Sequence, residues 1–363
     1  MNKAVIVEAK RTPIGKKNGM LKDYEAQQLV APLLSFLGKG IEREIDDVIL
    51  GTVVGPGGNI ARLSALEAGL GYHIPGVTID RQCGAGLEAV RTACHFIGGG
   101  AGNCYIAGGV ESTSTSPFQK RARFSPDTIG DPDMGVAAEY VAERYNITRK
   151  MQDEYAYLSY KRTLQALENG YIQDEILSFN GLLDESIKRE MNYERIIKRT
   201  KPVFLQNGTV TAGNSCGVND GACAVLVMEE EQARKLGYKP VLRFVHSAVI
   251  GVDPNFPGTG PIYAVNKLLN EMNLKVEDID YFEINEAFAS KIVACAKELQ
   301  IPYEKLNVNG GAIALGHPYG ASGAMLVTRL FYKAKREHMK YGIATLGIGG
   351  GIGLALLFEK VED

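Results

Sequence analysis

The sequence predicts an α/β fold built from two similar halves. Short apolar runs, such as 4–9 (AVIVEA) and 103–110 (NCYIAGGV), alternate with amphipathic runs at 24–37 and 87–97. Strands that are apolar on both faces and are separated by helices indicate parallel βαβ units. The same order of elements recurs in the second half of the chain.

An internal repeat supports two duplicated domains of βαβ type. Three pairs of segments match in one register: 47–51 with 280–284, 78–86 with 307–316, and 104–109 with 341–347. A repeat of this kind predicts two domains that pack on each other. The polar residues 112–217 interrupt it and are interpreted as an insertion. We therefore predict an N-terminal domain of residues 1–111 and 218–238, an insertion domain of 112–217 and a C-terminal domain of 239–363.

Composition and charge exclude several classes of function. The formal net charge of −2 gives no overall attraction to nucleic acid or to an anionic membrane. The six cysteines form no CxxC pair, no Cys/His set has metal-ligand spacing, and the N-terminus does not resemble a signal peptide. Free thiols in the cytoplasm are therefore expected. The uncharged run 343–358 is shorter than the ~20 residues of a membrane span, so we predict two strands joined by a glycine turn.

Two residues in glycine-rich segments are candidates for catalysis. Cys83 follows a predicted strand and opens a predicted helix, whose positive end stabilises a thiolate. Its alternative is a small buried side chain, which is the prediction for Cys94, Cys104, Cys223 and Cys295. His317 lies in a loop of small residues (NGGAIALGHPYGASG), where it could act as the general base for Cys83 or have a purely structural role.

Two further motifs have competing interpretations. The run 347–353 (GIGGGIG) has spacing like that of a nucleotide-binding loop, but no βαβ unit follows it, which disfavours that function. The run 118–124 (FQKRARF) holds three cations between two aromatic residues. It is either a solvated loop or an anion site for a phosphorylated ligand.

Eight segments together carry a resemblance to a known family: 8–15 (EAKRTPIG), 80–90 (DRQCGAGLEAV), 108–112 (GGVES), 208–222 (GTVTAGNSCGVNDGA), 258–262 (GTGPI), 285–289 (NEAFA), 307–324 (NVNGGAIALGHPYGASGA) and 348–353 (IGGGIG). Over its whole length the chain resembles the thiolases, which are acyl-CoA acetyltransferases. The resemblance implies two βαβαβαββ domains in a five-layered αβαβα arrangement, with a loop domain covering the CoA. It implies acyl-CoA and CoA as substrates and no cofactor or metal.

The resemblance also implies roles for individual residues. Cys83 would be acylated, and His317 would activate it. Asn285 would hold a water molecule in one oxyanion hole, completed by His317, and the backbone N–H groups of Cys83 and Gly349 would form the other hole. The residues implied in binding CoA or substrate are Lys188, Arg189, Ser215, Met134, Phe288 and Ala312, with the first two over the CoA phosphates.

The chain departs from the family at the residue that moves the proton of the α-carbon. Most thiolases have a cysteine at the position of Gly347, and some relatives carry it beside the position of Asn285, but this chain has neither. A positioned acid or base contributes about 10²–10⁴-fold to a rate. One hypothesis is that Cys216 partly replaces it. The alternatives are that Cys216 is incidental and that His317 or a water molecule transfers this proton more slowly.

The resemblance implies a thiolase that cleaves 3-ketoacyl-CoA or condenses acyl-CoA molecules. The alternative is a degenerate thiolase that binds or accepts acyl groups without efficient C–C bond chemistry, which Gly347 favours. A ketoacyl-synthase-like enzyme is disfavoured by the NEAFA motif and the CoA-type insertion. The segment between Ser112 and Met134 is shorter than the tetramer loop of typical thiolases, so we predict a homodimer. Asp133 replaces a histidine that usually precedes Met-Gly.

Overall fold

The strands of the computed structural model, which describes residues 2–118 and 120–362, form one mixed sheet. They are β1 (Ala4–Arg11), β2 (Gly15–Lys16), β3 (Asp47–Gly51), β4 (Gly76–Ile79), β5 (Cys104–Glu111), β6 (Asn219–Glu229), β7 (Leu242–Gly251), β8 (Tyr281–Ile284), β9 (Tyr341–Ile348) and β10 (Ile352–Lys360). Their order is β4-β3-β5-β6-β1-β7-β10-β9-β8, with β2 paired to β6.

The helices fall into three groups. Those of the first half are α1 (Ala26–Gly38), α2 (Ile60–Glu67) and α3 (Ala85–Gly99). Those between residues 112 and 217 are α4 (Met134–Arg144), α5 (Arg149–Glu168), α6 (Tyr171–Glu175) and α7 (Tyr193–Arg199). The remainder are α8 (Glu230–Lys235), α9 (Gly260–Met272), α10 (Ala289–Leu299), α11 (Ala312–Leu315) and α12 (Tyr319–Arg336).

Parallel pairing occurs inside each half, as the alternation of strands and helices predicts. Strand β3 is parallel to β4 and β5, and β8 is parallel to β9. Each half adds antiparallel strands: β6 and β1 follow β5, and β10 and β7 follow β9. The halves meet where β1 and β7 pair at Val5–Arg243 and Ile6–Leu242. Strand β6 returns the chain to the first half after the insertion.

The order of elements in the second half also predicts a strand over residues 305–311 (KLNVNGG), and this strand is absent. These residues make a single bridge between Leu306 and Phe282. Asn307 and Gly310 have positive φ angles of 45° and 77°, which end any extended conformation. The Oδ1 atom of Asn307 accepts the N–H of Ile284 at 2.8 Å, and the Nδ2 atom of Asn307 donates to the carbonyl of Ile284 at 2.9 Å. A side chain therefore satisfies the backbone groups that a neighbouring strand would otherwise pair.

The helices and the two halves of the sheet form five layers in the order αβαβα. Helices α3 and α12 pack on each other and on strands of both halves, so they form the central layer. Helices α1 and α2 cover the outer face of the first half, and α9 packs on β7, β9 and β10 of the second. This is the layer order that the resemblance implies.

The central layer requires glycine where α3 and α12 begin. A Cβ on Gly86 would lie 2.5 Å from the carbonyl oxygen of Gly320, and one on Gly323 would lie 2.3 Å from the backbone nitrogen of Leu87. Real Cβ atoms do not approach backbone so closely. The buried carboxylate of Glu111, at the end of β5, also accepts the N–H of Gly320 at 2.9 Å. The start of α12 is thereby held against the start of α3.

The glycine-rich run near the C-terminus joins two buried strands, as predicted. Strand β9 pairs antiparallel with β10 across a turn in which Gly350 and Gly351 have φ angles of 86° and 78°. These left-handed conformations favour glycine. Among the helices of the described residues, none has both the length and the apolar character that a membrane span needs.

We expect Gly86→Ala to destabilise the fold by about 1–3 kcal/mol, because the added methyl group must separate α3 from α12. The reactivity of Cys83 should fall in parallel. Gly98→Ala is the matched control on the same helix, since a Cβ there meets nothing within 4 Å. That control should leave stability unchanged or raise it by up to about 1 kcal/mol. Equal urea midpoints for the two variants would contradict the packing argument.

Candidate active site

Cys83 lies between β4 and α3, directly after Gln82, which has a positive φ of 47°. Its thiol is half-buried, and this burial raises its pKa to about 11. The charge of Lys291 and the backbone N–H groups of Cys83 and Gly349 act in the opposite direction. Burial therefore outweighs the stabilisation of the thiolate that the sequence predicts. The resting side chain is a neutral thiol, which needs a base before it can attack.

His317 precedes α12 and is buried, with a neutral ring of fixed tautomer. Its Nδ1 lies 2.6 Å from Oγ of Ser322, whose hydroxyl donates to the carbonyl of Pro318 at 2.9 Å. Because that hydroxyl proton is already used, Nδ1 must carry the ring proton and Nε2 must be the acceptor. Burial, followed by the charge of Lys291, lowers the pKa of His317 to about 3.

Asn285 stands at the end of β8 and meets His317 from the opposite half of the site. Its Nδ2 lies 3.3 Å from Nε2 of His317. A backbone bond from its N–H to the carbonyl of Thr345 at 3.2 Å holds the loop against β9. The pair that the resemblance assigns to one oxyanion hole is thus in contact. One member comes from the strand–loop junction of β8, and the other comes from the loop before α12.

Gly349 presents its backbone N–H to the sulfur of Cys83. A Cβ on Gly349 would lie 2.8–3.1 Å from the ring of Phe124, so the aromatic residue leaves no room for a side chain. The N–H groups of Cys83 and Gly349 therefore meet at one sulfur, where a thioester carbonyl attached to Cys83 would start. This is the second donor pair that the resemblance implies.

Phe124 belongs to the basic segment 118–124, in which Gln119 lies outside the described residues. The guanidinium of Arg121 lies 4.4 Å from the Phe124 ring centroid and pairs with Asp131 at 3.0 Å. Arg123 pairs with Asp127. Two of the three cations are thus engaged by carboxylates of the same loop, which favours the solvated-loop interpretation over an anion site.

Cys216 lies beside the Asn285 loop and close to Cys83. Its N–H donates to the carbonyl of Ala287 at 3.0 Å, and the preceding Ser215 forms a bridge with Phe288. Burial raises the pKa of the half-buried Cys216 thiol to about 12, and the charge of Cys83 raises it further. The structure therefore brings Cys216 to the site, as a weak acid.

Phe288 and Met134 line an apolar cluster next to the thiols. Phe288 packs with Ala138 and Val210, and Met134 and Phe204 lie against them. The rings of Phe204 and Phe288 stand edge to face with centroids 6.0 Å apart. Such a wall suits an acyl chain or the pantetheine arm.

The binding candidates Ser215 and Ala312, and the unusual Asp133, lie in different surroundings. Ser215 is buried, and its hydroxyl donates to the carbonyl of Thr211 at 2.6 Å. Ala312 begins α11 and lines a small cavity together with Asn285. Asp133 caps α4 through a bond from the Gly135 N–H at 2.8 Å, and its charge raises the pKa of Lys291.

Lys188 and Arg189 are exposed on the loop before α7, outside the catalytic cluster. A tyrosine pair connects this loop to the site. Tyr193 stacks on Tyr160 with centroids 4.2 Å apart, and its hydroxyl accepts the Lys188 N–H at 2.7 Å. Burial raises the phenol pKa of Tyr160, and the charges of Tyr193, Glu286 and Cys216 raise it further.

Glu286 is a functional residue that the sequence reasoning did not single out. Its carboxylate accepts bonds from the hydroxyls of Tyr155 at 2.8 Å and Ser159 at 2.6 Å, both on α5. It also accepts Nδ2 of Asn307 at 3.0 Å and the N–H of Ile313 at 3.2 Å. Glu286 thereby fixes the catalytic loop to the insertion domain. Its position inside the NEAFA motif was the available signal.

Lys291 is the second residue that the sequence reasoning missed. It lies on α10 within Ala289–Ala296, a stretch whose residues are all buried, and its own side chain is 5% exposed. Its charge acts on Cys83, Cys216 and His317. The signal was a single lysine in the otherwise uncharged run ASKIVACA. Across residues 2–118 and 120–362, no group of three or more His, Cys, Asp or Glu side chains is arranged to hold a metal ion.

Comparison with known proteins gives matches along nearly the whole chain. The thiolase N-terminal domain matches residues 4–231, and the thiolase C-terminal domain matches residues 238–360. A Bacillus subtilis protein, YhfS, named provisionally as an acetyl-CoA C-acetyltransferase, is 59% identical over 359 residues, covering 98% of this chain and 99% of the relative. A Staphylococcus aureus protein of the same provisional name, VraB, is 50% identical and covers 99% of this chain and 100% of the relative.

Two solved structures are similar throughout. The crystal structure of the Bacillus anthracis acetyl-CoA acetyltransferase superposes with a TM-score of 0.92 at 38% identity. That of human mitochondrial 3-ketoacyl-CoA thiolase superposes with a TM-score of 0.92 at 32% identity. In both comparisons 99% of each chain is covered. The fold of these structures is therefore the fold of this chain.

We expect Ser322→Ala to slow alkylation of Cys83 by iodoacetamide about tenfold, which corresponds to the ~1.4 kcal/mol of one hydrogen bond. Without the Ser322 oxygen, the His317 ring loses the partner that fixes its tautomer. Peptide mass spectrometry gives the rate at Cys83. Ser290→Ala is the control, because that buried hydroxyl bonds the Ala138 carbonyl at 3.0 Å and does not touch the imidazole. Equal rates in both variants would exclude an orienting role for Ser322.

Proposed function

Because the chain belongs to the thiolase family, we propose that it cleaves 3-ketoacyl-CoA with CoA, or condenses acyl-CoA molecules in reverse, through an acyl-Cys83 intermediate. The contact between Asn285 and His317, together with the N–H groups of Cys83 and Gly349 at the Cys83 sulfur, supports this proposal. The acetyl-CoA C-acetyltransferase names of the relatives support acetyl-CoA and acetoacetyl-CoA as substrates. These substrates belong to fatty acid and lipid metabolism.

The first half-reaction acylates the enzyme. His317 Nε2 takes the proton of Cys83, and the sulfur attacks the C3 carbonyl of the 3-ketoacyl-CoA. The C2–C3 bond breaks, its electron pair remains on C2, and protonation of C2 gives acetyl-CoA. The acyl group remains on Cys83. Transfer through a covalent enzyme intermediate predicts ping-pong kinetics.

The second half-reaction transfers the acyl group to CoA. The CoA thiolate attacks the thioester carbonyl, and the sulfur of Cys83 leaves and recovers its proton from His317. The N–H groups of Cys83 and Gly349 donate to the oxyanion of this thioester, and Asn285 with His317 serves the thioester of the second substrate. Removing one such donor costs about 3 kcal/mol of transition-state stabilisation. A fixed backbone provides these donors without side-chain movement.

CoA is proposed to lie along the insertion domain. The apolar wall with Met134 and Phe288, Ser215 and Ala312 would contact the pantetheine and acyl parts, and Lys188 with Arg189 would face the phosphates. The route from Cys216 through Tyr160 and Tyr193 to the Lys188 loop supports this path. Lys188 and Arg189 lie at the exposed end of this path, where the charged nucleotide part of CoA would remain hydrated.

A degenerate thiolase is the second candidate, and the surroundings of Gly347 favour it. A Cβ at this position would lie 2.5 Å from the carbonyl oxygen of Pro257. The backbone of the turn before α9 thus occupies the space that a cysteine side chain would need. Under this alternative Cys83 accepts acyl groups but C–C bonds are not cleaved. Cys216 remains the sequence-based prediction for a replacement proton carrier.

The deciding measurement is thiolysis of acetoacetyl-CoA by free CoA, with intact mass after exposure to acetyl-CoA. We expect the wild type to cleave the substrate and to gain one acetyl group, and Cys83→Ala to do neither. Cys94→Ala, at a buried thiol of α3, is the control. Acetylation of Cys83 without cleavage of acetoacetyl-CoA or longer ketoacyl-CoAs would establish the degenerate alternative. Wild-type protein that is never acylated would refute both.

We propose a homodimer in the cytoplasm. The shortened segment between Ser112 and Met134 argues against a tetramer, and β4 ends the sheet with no strand on its outer side among the described residues. An open edge of this kind is suited to contact with another chain. The six free cysteines suit a reducing compartment.

Light scattering coupled to size exclusion should give the mass of two chains. Val77→Lys, at a half-exposed position of β4, should shift the mass toward one chain, because a charge would enter the proposed contact between the two chains. Ile196→Lys, at a similarly exposed position of α7, is the control. A mass near four chains for the wild type would refute the dimer.

A further inference from the structure

Lys291 is buried beside the two half-buried thiols, and the steps above give it no role. In the described part of the chain its ammonium makes no hydrogen bond and no ion pair. Its Nζ lies over the ring of Phe288, 4.6 Å from the ring centroid. A cation in this position has no carboxylate that would explain it as a structural pair.

The environment of Lys291 is unfavourable for a permanent charge. Burial penalises an ammonium that has no carboxylate partner, and a single cation–π contact offsets only part of this penalty. Burial accordingly lowers the pKa of Lys291 to about 8, against the opposing charges of nearby groups. The groups that raise it are Cys83, Cys216, Cys295 and Asp133, and His317 also faces it. Both the ammonium and the neutral amine are therefore accessible near physiological pH.

Contacts place the lysine side chain behind the position that lacks a cysteine. A Cβ at Gly347 would meet Pro257 O at 2.5 Å and Gly258 Cα at 3.2 Å. On the other side, a Cβ at Gly258 would lie 2.3–2.7 Å from the Cγ, Cδ and Cε atoms of Lys291. Gly347, Gly258 and the lysine stem thus pack in series. The glycine at 258 makes the room in which the stem extends toward the thiols.

Cleavage of the C2–C3 bond leaves an electron pair on C2 that requires a proton. His317 cannot supply a further one without giving back the proton of Cys83. Glu286 already accepts four hydrogen bonds. Cys216 has a thiol pKa of about 12, well above physiological pH, and so gives few thiolates for the reverse reaction. Tyr319 also interacts with both thiols, but burial raises its phenol pKa far above physiological pH. Among the described residues, Lys291 interacts with both thiols and has a pKa near physiological pH.

We propose that Lys291 is the catalytic acid and base at the α-carbon of the acyl-CoA, an inference that rests on the proposed function. In cleavage, the ammonium of Lys291 donates a proton to C2 as the C2–C3 bond breaks, which leaves a neutral amine and acyl-Cys83. The amine then takes the proton of the incoming CoA thiol, and the ammonium is restored. In condensation, the amine removes the α-proton of an acyl-CoA, and the C2 electron pair attacks acyl-Cys83.

The direct test is exchange of the acetyl-CoA methyl protons with D₂O, followed by NMR, beside acetylation of Cys83 and cleavage of acetoacetyl-CoA. Lys291→Arg keeps the positive charge near Cys83 but cannot give up its proton at any working pH. Lys291→Met removes both the positive charge and the transferable proton. We expect both variants to lose proton exchange and C–C cleavage by about 10²–10⁴-fold. Lys291→Arg should retain acetylation of Cys83, because that step needs only the thiol and His317.

Two variants serve as comparisons. Lys297→Gln, on the exposed side of the same helix, removes an ammonium that bonds the Tyr145 carbonyl at 3.1 Å, and it should behave as wild type. Cys216→Ser tests the competing carrier, and its loss of exchange should be smaller than that of Lys291→Met. A larger loss of exchange in Cys216→Ser than in Lys291→Met would overturn the inference and assign the proton transfer to Cys216.

A structural role for Lys291 predicts different results. Because its folded-state pKa lies below the unfolded value, the protonated lysine disfavours folding at pH 7, so Lys291→Met should melt at the wild-type temperature or above it. The exchange rate of the wild type should rise with pH through about 8, as the neutral amine forms. A destabilised Lys291→Met with exchange intact would overturn the inference.

The results separate this inference from the proposed function. A wild type that is acetylated and cleaves acetoacetyl-CoA, with Lys291→Arg and Lys291→Met equally active, refutes the role of Lys291 and leaves the thiolase activity standing. A wild type that is neither acetylated nor active refutes the proposed function before any variant is compared. A wild type that is acetylated but shows no proton exchange refutes the inference and supports the degenerate alternative.

Discussion

The contact between the starts of α3 and α12 is the constraint on which the site depends. Gly86 and Gly323 bring two helices from different halves to backbone distance, where any Cβ would collide. Cys83 lies just before one of these helices and His317 just before the other. The proposed nucleophile and its proposed base can therefore come together only if the two halves are packed on their central layer. The helix packing that closes the core also assembles the candidate site.

Burial sets the electrostatics of this assembled site. It raises the pKa of Cys83 and lowers that of His317, so both side chains are neutral at working pH. It also lowers the pKa of Lys291 to about 8, so this lysine is mainly an ammonium with a fraction of neutral amine. A neutral thiol beside a neutral imidazole suits transfer of a proton at the moment of attack. In such surroundings fixed donors act strongly, because little water competes with them. The backbone N–H of Gly349 and the amide of Asn285 are held in place by strand ends.

The insertion domain is joined to the rest of the candidate site through the carboxylate of Glu286. Glu286 joins two hydroxyls of α5 to the loop that carries Asn285, so the part of the chain proposed to cover CoA is fixed to the catalytic loop. The turn before α9 shapes the other wall, where the backbone at Pro257 fills the space beside Gly347. Gly347 of β9 and Lys291 of α10 therefore face this turn from two sides, although they lie far apart in the sequence.

The sequence by itself determined the alternation of strands and helices and the duplicated halves. It also predicted the return of the chain to the first half after the insertion, and the roles of Cys83, Asn285 and His317. Local patterns and glycine-rich strand ends carry that information. Tertiary structure decided that residues 305–311 are not a strand, since the Asn307 side chain bonds Ile284 in place of a neighbouring strand. The tertiary structure also decided the protonation state of each ionisable group in the candidate site. The pKa of Lys291 depends on burial and on Cys83 and Cys216, which lie far from it along the chain and come close only in the folded protein.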